Sequence, residues 1–129
     1  MARVLLTTLT GVVVAGCDSL FGPDRREFVI AIDSISAPGA VSGGAPWQVL
    51  FYGPIGPNTC HSFKEFKVMR SASSADVTVI GQSVDGTCGQ MPQFLDGMAL
   101  TIEPPVSDPF TLRVHQPNRS VLPTLVRAE

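Results

Sequence analysis

The chain has 129 residues, with 9 Lys and Arg against 11 Asp and Glu, for a formal net charge of −2. At 44% hydrophobic and 16% charged residues it is too apolar for a disordered chain, and without a basic block it lacks the electrostatic footprint of a nucleic-acid binder. Its 12 glycines and 11 prolines are scattered, which favours many short turns over long helices.

The chain opens Met1-Ala2-Arg3, short and positive, and continues as an uncharged apolar run from Val4 to Val14. At about 11 residues the run falls well short of the roughly 20 a helix needs to cross a bilayer. The small residues Ala15 and Gly16 directly precede Cys17. This order is that of an export signal, which is removed and takes no part in the fold. Val14-Ala15-Gly16-Cys17 resembles the lipobox of bacterial lipoproteins. The resemblance implies cleavage before Cys17, a diacylglyceryl thioether on its sulfur and an acyl chain on its new amine. It places the protein in the bacterial cell envelope, with the membrane as its partner through the lipid. One acyl chain holds a protein marginally and two or more hold it stably. An ordinary secretory signal would instead leave Cys17 as an odd, free thiol. The expected organisation is a signal peptide over 1–16, a lipidated tether over 17–26 and one β domain over 27–129.

Along that domain, Phe28 to Ile32 is a short apolar run and the first expected strand. Ser36 to Pro46 is a loop of small residues. Trp47 to Tyr52 is the second strand, with Trp47, Val49 and Phe51 on one face. Gly53 to Asn58 carries two prolines and reads as a turn-rich connection. Ser62 to Arg70 is ambiguous: Ser62-Phe63-Lys64-Glu65 has the form of a helix capping box and Phe63, Phe66 and Arg70 lie at helical spacing, yet Phe66, Val68 and Arg70 alternate. A strand is favoured, because Asp76 to Val84 reads as its hairpin partner across a turn at Ala72 to Ala75.

Asp85-Gly86 ends that partner with turn chemistry. Cys88 to Gly97 is an expected loop with one helical turn at Gln93-Phe94-Leu95. Met98 to Ile102 alternates and stops at Pro104-Pro105. Phe110 to His115 puts Phe110, Leu112 and Val114 on one face and Thr111, Arg113 and His115 on the other. Val121 to Val126 is a last strand, placed at an edge by Pro123.

About seven short strands separated by turn signals predict an all-β, antiparallel sandwich. The pattern resembles the immunoglobulin-like sandwiches of exported bacterial proteins. It departs from true immunoglobulin domains in that Trp47 precedes both domain cysteines and no tyrosine corner is present. If lipid takes Cys17, then Cys60 and Cys88 remain from the 3 cysteines, and an oxidising compartment pairs them. The bond would pin the open end of the hairpin and stabilise the fold by roughly 3–4 kcal/mol.

Candidate chemistry is sparse. His61 and His115, with exposed or core methionines, are the residues from which a soft-metal (copper) site could be drawn, but no metal-ligand spacing joins them. Gly81 to Asp85 begins like a nucleophile elbow and lacks its final glycine, and neither histidine is tied locally to a serine. The expected function is therefore non-enzymatic: a lipid-anchored envelope protein acting as a binding or structural module, with no metal or other cofactor beyond the lipid. A copper-binding protein and a small envelope hydrolase are the alternatives. The binding-surface candidates are Tyr52, Asn58, Gln90 and Phe94, on or beside the loops that adjoin the disulfide. An envelope protein or a glycan is the expected type of partner, and nucleic acid is not.

Overall fold

The structure, a computed structural model, describes residues 25–129. The signal segment, Cys17 and the tether as far as residue 24 lie outside the described residues. Nine strands follow in order: β1 (Arg25–Val29), β2 (Ser34–Ser36), β3 (Ala40–Val41), β4 (Trp47–Gly56), β5 (His61–Arg70), β6 (Ser74–Val84), β7 (Gln93–Ile102), β8 (Phe110–His115) and β9 (Val121–Ala128). No helix is present among the described residues. The strands form a six-stranded sheet, β1-β6-β8-β9-β3 with β5 also on β6, and a three-stranded sheet, β2-β4-β7. The expected all-β sandwich is thus present, with its seven strands and two short additions, β2 and β3. Two of its pairs, β6–β8 and β3–β9, are parallel.

β6 organises the larger sheet. β5 runs antiparallel along one edge of it. The other edge is shared: β8 takes Ser74–Thr78 and β1 takes Ile80–Val84. Ala75, Val77 and Val79 alternate inward and are completely buried. Branched side chains suit a pleated surface of this kind. They meet Val49 and Phe51 of the opposing sheet, and Phe110, Leu112, Val114 and Val126 complete the core. Trp47 packs edge-on against Phe110, whose ring lies 4.8 Å below the Arg70 guanidinium. Arg70 donates to the carbonyls of Glu103 and Pro105, which fastens the turn end of the hairpin to the loop after β7.

The segment after β1 carries the chain from one sheet to the other. Ile30 N–H donates to Val79 O at 2.8 Å, and Asp33 N–H donates to Tyr52 O at 2.9 Å. Between them Ile32 has no strand partner, and the Gln116 side chain supplies one. Gly53 of β4 lies under this crossing. A Cβ there would collide with the Ala31 carbonyl oxygen and press on the Asp33 amide.

Several boundaries differ from the sequence expectation. β1 begins at Arg25, inside the expected tether, and ends at Val29. Ser74 and Ala75, expected in the hairpin turn, belong to β6. Gly53 to Gly56 continues β4, because bulges at Phe51/Tyr52 and Pro54/Gly56 keep it in register with β7. Pro54 is tolerated by position. The Tyr52 carbonyl points toward β2, so amides of the same parity do too, and Pro54 lies beyond the last β2 partner. Gln93 to Gly97, expected as loop with a helical turn, opens β7. Gly97, at φ 81°, makes a bulge there and not a turn.

Pro123 holds the edge position expected of it. Arg127 and Glu129 N–H groups point away from β8, to Gly39 and Val41 of the β3 segment. The Pro123 nitrogen has the same parity and faces away from β8, short of the β3 partners, so the β8–β9 ladder loses no bond.

Candidate functional site

The β5–β6 hairpin determines where the candidate residues fall. Cys60 precedes β5 and Cys88 follows β6, and the two are bonded with Cα atoms 5.4 Å apart. The bond closes the open end of the hairpin, as the sequence placed it. Around it, Thr59 N–H donates to Gly89 O at 3.1 Å and Gly89 N–H donates to Thr59 Oγ1 at 2.7 Å. The two loops expected to lie together therefore do so.

Asn58 is consumed by this turn. Its Oδ1 accepts the Cys60 amide at 3.0 Å and lies 2.9 Å from His61 Nδ1. Gln90 stays exposed on the second loop. His61 packs edge-on against Phe28 with ring centroids 5.9 Å apart, and a side chain at Gly56 would overlap its ring. His61 is thus a packing residue at the hairpin end.

His115 is elsewhere. On β6, His61 is opposite Ser83 and His115 is opposite Thr78. Five residues along a strand is roughly 17 Å, far beyond the ~2 Å a shared metal allows each imidazole nitrogen. The two histidines expected as candidate ligands do not converge. Among the described residues, no three His, Cys, Asp or Glu side chains group to hold a metal ion.

His115 instead joins a cluster on the outer face of the larger sheet. Arg113 Nε and Nη2 donate to the two carboxylate oxygens of Asp76 at 2.9 and 3.0 Å. His115 Nε2 lies 2.9 Å from Asp76 Oδ1. The Arg113 hydrogen bonds first, and His115 second, hold the Asp76 carboxyl down to about 2 from 3.8. The parallel β6–β8 register brings the three together by setting Asp76 beside Arg113 and Thr78 beside His115. Alternation alone shows Arg113 and His115 pointing outward. What the sequence withholds is the non-local pairing that brings Asp76 to them. A shallow cleft of about 380 Å³ lies against the cluster, lined by Lys67, Met69, Asp76, Thr78 and His115 among others.

Tyr52 and Phe94 lie on the other sheet. Inner positions of β4 and β7 pair as Trp47 with Ile102, Val49 with Leu100 and Phe51 with Met98. The alternate residues face out, and Tyr52 is opposite Asp96 while Pro54 is opposite Phe94. Tyr52 and Phe94 are therefore diagonal neighbours on one outer face. The Tyr52 ring lies over Gly97, where the bulge leaves no side chain in its way. Phe94 is 64% exposed. Asp96 is the single Asp, Glu, Lys, Arg or His on β2, β4 and β7. The outer face of the larger sheet, by contrast, carries Glu27, Lys64, Lys67, Asp76, Arg113 and His115.

Compared with protein-family models, with curated proteins and with solved structures, the chain matches none of them.

Proposed function

We propose that this chain is a lipid-anchored protein of the bacterial cell envelope, and that its sandwich is a non-enzymatic binding module. One observation carries the anchor. Cys60 and Cys88 are bonded to each other, so of the 3 cysteines only Cys17 is left over. That cysteine ends the lipobox-like Val14-Ala15-Gly16-Cys17. A disulfide also fits an oxidising compartment outside the cytoplasm. With two or more acyl chains on Cys17 the anchor would be stable.

A binding role is favoured over catalysis by how the chemical side chains are engaged. Asn58 and His61 hold the hairpin end, and Asp76 and His115 belong to an ion cluster with Arg113. Among the described residues, the aromatic face of the smaller sheet has no such engagement.

The test of the anchor is the Cys17→Ser variant in a bacterial host. The intact mass of the parent protein, with Cys17 in place, should show loss of residues 1–16, added acyl mass and the two-hydrogen deficit of the disulfide. The variant should lose the acyl mass and move from the detergent phase to the aqueous phase on phase separation. Unchanged processing and partitioning would reject the proposal.

A further inference from the structure

Taking the sandwich as the binding module of an envelope protein, we propose that the outer face of the β2-β4-β7 sheet binds an uncharged polysaccharide, with pyranose rings stacked on Tyr52 and Phe94. The aromatic pair is the first reason. Phe94 is 64% exposed, and core packing does not require an aromatic at an outward strand position. Tyr52 lies across Gly97, so its ring rests on the sheet. Aromatic faces carry negative charge density and attract the slightly positive C–H faces of sugar rings.

Charge selects among ligands. With no Lys, Arg or His on β2, β4 or β7, the face offers nothing to phosphate or carboxylate groups. Asp96, opposite Tyr52 and two residues from Phe94, would repel an anionic polymer and accepts hydrogen bonds from neutral hydroxyls. Ser34, opposite Tyr52 on β2, adds a second hydroxyl-binding group beside the platform.

Size argues against a globular partner. Strands lie ~4.8 Å apart and rise ~3.3 Å per residue, so the face measures on the order of 500 Å². A stable protein interface takes about 800 Å² from each partner. A narrow strip along two long strands matches a linear polymer better. A membrane surface is disfavoured because it would be met by a lone carboxylate and no basic residue.

The experiment is affinity electrophoresis of the full chain in a polyoxyethylene detergent, which carries no sugar headgroup. Gels would contain hydroxyethylcellulose, mannan, dextran or, as the charged comparison, alginate. At least one neutral polymer should retard migration and alginate should not. Tyr52→Ala and Phe94→Ala should each weaken retardation about tenfold, with thermal midpoints close to the parent's. Asp96→Asn should weaken it less. Cys17→Ser should leave it unchanged, so the anchor and the polysaccharide site can fail separately. Lack of retardation by every neutral polymer would overturn the proposal, as would retardation that survives the Tyr52→Ala/Phe94→Ala double variant. Binding of the Cys17→Ser protein to phosphatidylethanolamine vesicles, abolished by Phe94→Ala, would assign the face to membrane instead.

Discussion

The Gln116 side chain stands in for a missing strand beside Ile32. Its oxygen accepts the Ile32 N–H at 2.9 Å, and its amide nitrogen donates to the Ile32 carbonyl at 2.9 Å. The two residues are 84 positions apart. One side chain thus satisfies both backbone groups where the chain passes between sheets. Gln116→Leu should leave these groups without partners and destabilise the domain by about 2 kcal/mol, given 1–3 kcal/mol for an unsatisfied buried group. Gln116→Asn, one methylene shorter, should fail to rescue it. Urea midpoints of the three proteins check this.

Gly53 sets the closeness of the same crossing. A methyl group there meets backbone atoms of Ala31 and Asp33, which cannot rotate away. Gly53→Ala should therefore cost about 1–3 kcal/mol, as overpacking does, while Gly44→Ala, which meets nothing within 4 Å, should be nearly neutral. Thermal midpoints measured side by side test the difference.

The Asp76 cluster gives a pH dependence with a definite sign. The folded carboxyl titrates at about 2 and the unfolded one near 3.8. Its contribution is fully present above pH 4 and is lost as pH falls through 2, because the unfolded chain binds the proton first. Arg113→Ala should raise the Asp76 titration toward its ordinary value and lower stability at pH 6 only modestly, since the pair is solvated. The variant should also show a smaller stability loss between pH 5 and 2.5. Carboxyl NMR and urea melts at each pH report both effects.

Reducing the Cys60–Cys88 bond should act locally as well as globally. With a separation of 28 residues, loss of the bond should cost about 3 kcal/mol. Hydrogen exchange should accelerate first at Thr59, Val84 and Gly89, whose amides bond around it. Val77 and Val79, in mid-strand and fully buried, should keep their protection longest. An even loss of protection along β6 would contradict this.

Much of the sandwich was legible because burial writes itself into alternation. Trp47, Val49 and Phe51 alternate onto one face and are all buried, as are Phe110, Leu112 and Val114. The half-helical pattern of Ser62 to Arg70 resolves as β5, where a bulge between Phe63 and Glu65 shifts the phase of the inward residues. That shift is what mimicked a helical spacing. Gly53-Pro54 and Asp96-Gly97 misled for a related reason. The residues that punctuate turns also make bulges, and only a partner strand tells the two apart.

The candidate site was half visible. The sequence points to Tyr52 and Phe94 through the loops that adjoin the disulfide, and not as one strand face. Their union depends on the β4–β7 register across the bulge at Gly97. The Asp76–Arg113 pair was invisible for a different reason: its members sit 37 residues apart on parallel strands, and no local pattern encodes that contact.

Pro123 has a consequence beyond its own ladder. Among the described residues, the rim of β9 presents a row of outward amides interrupted by a proline ring, with Gly39 to Val41 covering the last stretch. Another copy sliding alongside would find a missing donor and a bulky ring midway, so zipping of chain onto chain stalls there. A domain crowded among its own kind thus resists growing into fibres along this margin.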